Sequence, residues 1–263
     1  MHSPKNESRI STLGIQATDV CVDYNGTVAL YDASLNIETG SICGLVGMNG
    51  AGKSTFFKAL MGFVRPSRGI IKINGLPVPK AQRYQMVAYV PQSDGIDCSF
   101  PVSVWDVVMM GRYGSMNLFR IPRESDRQAV WNALERVELI DLRNRPISDL
   151  SGGQRKRTFL ARAIAQRASV LLLDEPFAGV DVRTEKLMSQ LFLQFRKEKR
   201  TILISTHDFS HIRDFCDLVV LINKTVLAYG ETSKIFTEEN LNLTFGGMPP
   251  DVLSGASPEE LPE

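Results

Sequence analysis

The chain has 263 residues, of which 43% are apolar and 22% charged, a composition that is typical of a folded globular protein rather than a disordered or fibrous one. Its 30 Lys and Arg residues and 29 Asp and Glu residues leave a net charge of +1, which does not favour a nucleic-acid binder that works through bulk charge. No apolar run approaches the roughly 20 residues of a membrane helix, and the polar start contains no signal core, so we expect neither a membrane span nor a secretory signal.

The first part of the chain predicts strands joined by turns and then one helix. Alternating apolar residues before the Asn25-Gly26 turn indicate a strand, and residues 41–46 form a short apolar run that is typical of a buried strand. A glycine-rich loop follows, and then a helical pattern over residues 53–61. Residues 70–73 and 86–90 predict two further strands, so this part has the element order of an α/β domain.

Strand patterns stop between about residues 93 and 150. Residues 101–112 predict a helix, and after Pro122 the apolar Val130, Leu134 and Val137 recur at helical spacing. We therefore expect a helical insert in this stretch.

The α/β pattern resumes after the insert. A helix is predicted after Ser151, a continuous apolar strand at residues 170–173, an amphipathic helix at 187–195, and strands at 201–205 and 218–222. The tail at 247–263 contains prolines and acidic residues and no Lys or Arg. We expect this tail to be mobile and assign it no function.

A glycine-rich loop matching G-x-x-x-x-G-K-[ST] connects the predicted strand at 41–46 to the predicted helix. Its residues are Gly47, Met48, Asn49, Gly50, Ala51, Gly52, Lys53, Ser54 and Thr55. Glycines let successive backbone N–H groups point at one anion, and the start of the helix adds the positive end of its dipole. Lys53 would place a charge on the outer phosphates of a nucleotide, and the Ser54 hydroxyl would bind Mg²⁺. The alternative is a glycine turn that precedes a lysine by chance, and the strand-loop-helix context argues against it.

An acidic pair, Asp174-Glu175, follows the apolar run at 170–173, at the end of a strand where α/β sheets bind ligands. Asp174 could hold Mg²⁺, and Glu175 could orient or deprotonate a water that attacks the γ-phosphorus. A solvated pair of acids at a strand end is the alternative. His207 follows the predicted strand at 201–205 and Gln92 follows another strand, but neither residue indicates a role by itself.

The segment that opens the helix after the insert is Leu150-Ser151-Gly152-Gly153-Gln154, and here the sequence resembles the ATP-binding subunits of ABC transporters. The family's landmarks occur in the family's order over roughly residues 15 to 245. The resemblance implies a P-loop NTPase fold of the α/β class, with a mixed sheet core, an N-terminal antiparallel β subdomain and an inserted α-helical subdomain. It places the ATPase domain at residues 15–246, with the helical subdomain at about 93–150.

The resemblance also implies roles within one chain. The phosphate loop would bind ATP, and Tyr24 would stack on its adenine. Mg²⁺ would be bound by Ser54, Gln92 and Asp174. The catalytic residues would be Glu175, His207, which would hold the γ-phosphate, and Gln92, which would sense Mg²⁺ and the attacking water.

A second set of residues is implied to act on the partner chain. In the family, chains pair head to tail, and the signature of one chain covers the ATP held by the other. By resemblance, Ser151, Gly152, Gly153 and Gln154 would contact ATP in trans, and Asp181 would touch the opposite chain. The glycine-rich start of a helix at Ser151 agrees with this, because it is a second anion site made of backbone donors. Met48 stands where many members have proline, and Ala178-Gly-Val precedes Asp181 in place of the commoner Ser-Ala-Leu; neither change removes a phosphate or metal contact.

Two short segments of the insert indicate which class of ABC transporter the sequence resembles. The Phe-Pro-Val piece at 100–102 and the Met-Gly-Arg-Tyr piece at 110–113 are similar to importers of manganese, iron and zinc, especially the manganese and iron systems of Gram-negative bacteria. The alternative is that these residues form only the core of the subdomain. The resemblance implies a homodimer of ATPase chains at the cytoplasmic face of the cell membrane, permease subunits that dock near Gln92 and the insert, and an exported metal-binding protein.

Two other functions remain open at this stage. One is a soluble ABC ATPase that works on nucleic acid, against which the single cassette and the net charge of +1 argue. The other is an ABC scaffold protein of iron–sulfur cluster assembly, against which the Phe-Pro-Val piece argues mildly. We expect no nucleic-acid partner.

Overall fold

The computed structural model describes residues 12–92 and 101–246. Its centre is a six-stranded sheet in which all neighbouring strands are parallel except the last pair, β9 and β10. In spatial order the strands are β10 (Thr225–Glu231), β9 (Leu218–Asn223), β3 (Ile42–Val46), β8 (Thr201–Ser205), β7 (Val170–Asp174) and β6 (Val87–Val90).

The central strands are apolar on both faces because both faces are covered. Within β3, Ile42 and Val46 pack into one cluster of buried side chains, while the alternate residues Cys43 and Leu45 pack into another. This alternation follows from the two-residue period of a strand. The carboxyl ends of the parallel strands meet at one edge of the sheet, and the predicted motifs follow these strand ends.

A second, antiparallel sheet covers one face of the central sheet. Its spatial order is β2 (Thr27–Glu38), β1 (Leu13–Tyr24), β4 (Arg68–Ile73) and β5 (Leu76–Pro77). The inward residues of β1, such as Ile15 and Val20, are fully buried in the same cluster as the helix α1 (Lys53–Leu60). Mixed central sheet, antiparallel sheet and helices agree with the fold class that the resemblance implies.

Helices occupy the described part of the chain between β6 and β7. They are α3 (Val104–Met110), α4 (Glu124–Arg136) and α5 (Gly152–Gln166), and residues 101–150 contain no strand. Arg112 joins two of these helices, because its Nε lies 3.0 Å from Asp126 Oδ1 at the start of α4 and its Nη1 donates to the Ala165 carbonyl of α5. The beginning of the predicted insert, including Phe100, lies outside the described residues, as does the predicted tail.

The remaining helices lie before β6 or after β7. They are α2 (Val78–Arg83), α6 (Val182–Lys197), α7 (Phe209–Phe215), α8 (Thr232–Ile235) and α9 (Glu238–Phe245). Among the helices of residues 12–92 and 101–246, none is both long and apolar enough to cross a membrane.

Candidate active site

A cavity of about 220 Å³ opens at the carboxyl edge of the central sheet. Segments that are far apart in sequence meet there because the strands that carry them are neighbours. Its lining residues are Ala29, Met48, Asn49, Gly50, Gly52, Lys53, Ser54, Thr55, Gln92, Asp174, Glu175 and His207. The phosphate loop, the acidic pair, Gln92 and His207 therefore share one cavity.

The phosphate loop adopts a conformation that requires glycine. Gly50 and Gly52 have φ angles of +81° and +96°, in the left-handed region that side chains other than glycine disfavour. A methyl group on Gly52 would lie 2.6 Å from Leu30 Cδ2 and 2.9 Å from the Ala29 carbonyl oxygen. The loop can thus turn tightly against the antiparallel sheet only without a side chain at this position.

The turn between β9 and β10 forms a backbone hydrogen bond with the phosphate loop. The backbone N–H of Lys224 donates to the Ala51 carbonyl at 2.8 Å, and the Lys224 carbonyl accepts from the N–H of Tyr31 in β2, also at 2.8 Å. The loop is thereby bonded to both sheets through one residue.

Lys53, the first residue of α1, provides the positive charge of the cavity. Its Nζ donates to the carbonyl of Gly47 at 2.5 Å and to that of Met48 at 3.0 Å. Burial lowers the pKa of Lys53, while the nearby carboxylates of Glu175 and Asp174 act in the opposite direction. The ammonium group lies among anionic side chains and loop carbonyls, so it is in position to contact a phosphate in the same cavity.

Asp174 ends β7, and a hydroxyl group donates to each of its carboxylate oxygens. Ser205, its register partner on β8, donates through Oγ to Oδ1. The Tyr89 hydroxyl, from β6, donates to Oδ2 at 3.0 Å. Burial raises the pKa of Tyr89, and the charge of Asp174 adds to this effect, so the phenol remains protonated and acts as a donor.

Glu175 forms a close pair with His207. Their Oε1 and Nε2 atoms are 2.7 Å apart, and the Glu175 side chain is only 12% exposed. Burial raises the pKa of Glu175, against the opposing effects of His207 and Lys53. The backbone of Glu175 has φ +49°, which is uncommon for a residue with a side chain and often marks a functional position.

Lys156 supports the segment after Glu175. This lysine of α5 is 5% exposed, and its Nζ donates to the carbonyl of Glu175 at 3.1 Å and to that of Ala178. No sequence motif indicates a site role for Lys156, Tyr89, Ser205 or Ala29. Ser205 and Tyr89 lie two and three residues before His207 and Gln92, and this proximity was the available signal.

The signature segment and Asp181 form a second group that does not line the cavity. Ser151 caps α5, because its Oγ accepts from the Gln154 N–H at 3.3 Å and its own N–H donates to Gln154 Oε1 at 3.0 Å. Asp181 caps α6, and the Thr184 N–H lowers its pKa. A methyl group on Gly153 would lie 3.4 Å from Asp181 Oδ2, so the two caps are adjacent. Gly152 is exposed beside them.

Tyr24 also lies outside the cavity lining. It ends β1 and its side chain is 42% exposed, so its ring is accessible to solvent. The structure therefore joins the phosphate loop, Gln92, the acidic pair and His207, and leaves Tyr24 and the signature segment apart from them.

The chain is similar to known proteins over more than half of its length. A family model described as ABC transporter matches residues 30–178. A manganese transport system ATP-binding protein of Synechocystis sp. is 56% identical over 241 residues, which cover 91% of this chain and 93% of that protein. A chelated iron transport system membrane protein of Yersinia pestis is 52% identical over 88% of this chain and 78% of that protein. Among solved structures, an inward-facing ABC transporter assigned to the metal-chelate type matches with a TM-score of 0.79 at 30% identity, over 89% of each chain.

Proposed function

This chain belongs to the ABC transporter family of ATP-binding proteins, and we propose that its ATPase energises the import of a transition-metal ion through a separate membrane permease. Manganese and iron are the proposed ions, with zinc as a further candidate. The observation that carries the proposal is the 56% identity, over nearly the whole chain, to a relative named for manganese transport. Iron is proposed together with manganese because a second similar protein is named for the transport of chelated iron. We assign the ATPase domain to residues 15–246 and its helical subdomain to about 93–150.

The phosphate loop and Lys53 would bind the phosphates of ATP. The loop supplies backbone N–H groups at the start of α1. When ATP binds, the Lys53 ammonium group would donate to phosphate oxygens in place of the carbonyls of Gly47 and Met48. Tyr24 would stack on adenine from the exposed end of β1.

Oxygen donors suited to Mg²⁺ converge in the same cavity. Ser54, Gln92 and Asp174 offer a hydroxyl, an amide carbonyl and a carboxylate, which are the hard ligands that Mg²⁺ prefers. Together they would hold the ion, which supplies neutralisation of the charge that develops on the phosphates.

Glu175 would act as the base toward the attacking water. Burial raises its pKa above that of an ordinary glutamate, which makes its ionised carboxylate a better proton acceptor. His207, in contact with Glu175 at 2.7 Å, would orient this carboxylate and hold the γ-phosphate through the exposed part of its ring.

A second copy of the chain would complete each ATP site. The signature segment begins a helix with a glycine-rich run of N–H groups, but it lies outside the cavity that contains Lys53. In a head-to-tail dimer, Ser151, Gly152, Gly153 and Gln154 would contact the ATP of the partner, and Asp181 would lie at the interface. ATP would then hold the dimer closed, and hydrolysis would release it.

The permease would dock near Gln92 and the helical insert. Gln92 lines the proposed ATP cavity and lies two residues after the end of β6, so it can connect a docked permease to the nucleotide. The transporter would place this chain at the cytoplasmic face of the cell membrane and would include an exported metal-binding protein.

Uptake of labelled metal in a deletion strain tests the proposal. The wild-type gene should restore uptake of Mn²⁺ or Fe²⁺, whereas Glu175→Gln should not, because it removes the base and keeps the fold. Zn²⁺ is measured in parallel to determine the ion. A strain that takes up all three metals normally without this chain would contradict the import function and favour an ABC ATPase with a role outside transport.

A further inference from the structure

Tyr89 makes three contacts with elements that carry different parts of the site. Its hydroxyl donates to Asp174 Oδ2 at 3.0 Å. Its ring packs edge-on against Phe57, a buried residue of α1, at a centroid distance of 6.1 Å and an interplanar angle of 84°. Its carbonyl accepts a hydrogen bond from Arg162 Nη2 of α5 at 3.1 Å. One residue of β6 thus touches the helix of the phosphate loop, the strand of Asp174 and the signature helix.

These contacts hold the Tyr89 hydroxyl in place independently of Asp174. The ring is fixed by Phe57, and the backbone is fixed by the pairing of β6 with β7, in which Tyr89 lies opposite Leu172. The hydroxyl is therefore prepositioned, and it can orient the carboxylate rather than follow it.

The Asp174 carboxylate is held at both ends. Ser205 Oγ donates to Oδ1 from β8, and the Tyr89 hydroxyl donates to Oδ2 from β6, on the opposite side of β7. Two donors from two flanking strands define the rotation of the carboxylate plane. A carboxylate oxygen can accept two hydrogen bonds, so Oδ1 and Oδ2, with these donors, both retain capacity for a further ligand.

We infer that Tyr89 is a positioning residue that fixes the Asp174 carboxylate for Mg²⁺, an inference that rests on the proposed ATPase function. Groups that hydrogen-bond to a metal-binding carboxylate orient it and tune its affinity for the ion. Because Gln92 lies three residues after Tyr89, a displacement of β6 would change the Asp174 contact and the position of Gln92 together.

The test compares Tyr89→Phe with the wild-type protein. Phenylalanine keeps the ring on Phe57 and leaves the backbone bond to Arg162, so the change removes only the hydroxyl. The measurement is the affinity for a non-hydrolysable ATP analogue, once with Mg²⁺ and once with EDTA. We expect roughly tenfold weaker binding with Mg²⁺ and unchanged binding with EDTA. The Mg²⁺ concentration for half-maximal ATPase activity should rise by a similar factor, while kcat at saturating Mg²⁺ should remain near the wild-type value.

Two further variants make the outcome specific. Tyr84→Phe is the matched control, because this tyrosine is 64% exposed at the end of α2, and it should behave as wild type. Ser205→Ala removes the donor to Oδ1 and also the Oγ that accepts from the Glu175 N–H at 3.3 Å, an N–H that still donates to the Ser205 carbonyl at 3.0 Å. The Mg²⁺-specific loss should therefore recur, and this variant tests the support of Asp174 from its other oxygen if Tyr89→Phe lowers the yield of folded protein.

The contrary results are distinct. Equal affinities for Tyr89→Phe and wild type with Mg²⁺ would overturn the inference, and so would an equal loss with Mg²⁺ and with EDTA, because that pattern indicates a structural role only. A wild-type protein that fails to bind the analogue at all would instead overturn the proposed ATPase function, and the inference with it.

Discussion

Replacement of Glu175 by glutamine tests its proposed role as the catalytic base with little change in side-chain shape. Glutamine has nearly the same volume, and it tolerates the left-handed backbone at this position about as well as glutamate does, so the φ of +49° adds no new strain. The hydrogen bond to His207 can persist, since one side-chain oxygen remains to accept it. The change therefore removes the charge and the proton acceptor but not the packing of a side chain that is 12% exposed.

The expected effect is large on kcat and small on ATP binding. A positioned base contributes roughly 10²- to 10⁴-fold, so kcat should fall by that factor, which corresponds to about 3–5 kcal/mol of barrier. Affinity for ATP should hold or increase, because Lys53 and the loop are unchanged and a negative charge has left the cavity. With hydrolysis blocked, the ATP-bound dimer should accumulate.

Phosphate release and molar mass are the two measurements. The mass is read by light scattering after gel filtration in saturating ATP and Mg²⁺. Glu124→Gln serves as the control, because this residue is 83% exposed and pairs only loosely with Arg127 at 3.8 Å. A kcat within tenfold of the wild-type value would refute the role of Glu175 as the base. A variant that hydrolyses slowly and stays monomeric would refute the shared ATP site.

Three further predictions concern the same cavity. Lys53→Ala should weaken ATP binding by roughly 10- to 100-fold, the worth of a charge-assisted hydrogen bond, and wild-type affinity by calorimetry would contradict this. Because the pKa of Glu175 is raised, kcat should begin to fall at a higher pH than for an ordinary glutamate as the pH is lowered. His207 lowers this pKa, so His207→Ala should move the acid limb of the pH–rate profile to still higher pH. An acid limb at the wild-type pH would argue against the pairing of Glu175 with His207. Gly52→Ala should lose ATP binding and should melt at a lower temperature than Gly26→Ala. Both glycines have a left-handed backbone, but only a side chain at position 52 would be crowded, by Leu30 and Ala29. Equal melting temperatures of the two variants would contradict the steric argument.

The motif-bearing strands and helices were predictable because local sequence determines them. The apolar run at 170–173 predicted β7, which the structure extends by one residue to Asp174. The helix predicted at 53–61 is α1, Lys53–Leu60, and the helix predicted at 101–112 is the shorter α3, Val104–Met110, which starts at a Ser103 cap. Element ends depend on caps and tertiary contacts, so patterns of apolar residues define them less well.

Contacts between distant segments were not predictable. The bond from Tyr89 to Asp174 depends on the parallel pairing of β6 with β7, which brings together residues 85 positions apart. Lys156 looks like a surface residue of a helix, yet it is buried and donates to two carbonyls. The edge strand β10 has little apolar periodicity and was missed.

The Ser151 hydroxyl illustrates how two interpretations of one pattern can compete. The glycine-rich segment after Leu150 predicts an anion site. The spacing of Ser151 and Gln154 is also that of a capping box, and the structure contains this box. The free chain therefore uses the Ser151 oxygen as the acceptor that begins its own helix, while the hydroxyl hydrogen would remain able to donate to a phosphate of the partner's ATP.

The turn at Lys224 limits where this protein can be engineered. The backbone of Lys224 forms hydrogen bonds with Ala51 of the phosphate loop and with Tyr31 of the antiparallel sheet. Lys224 lies between Asn223 and Thr225, which pair with each other across the turn. Insertion of one residue here would move the donor to Ala51 out of reach. This solvent-facing turn has no proposed role in the reaction. Its length is nevertheless as constrained as that of the phosphate loop, because the hydrogen bond to Ala51 depends on it.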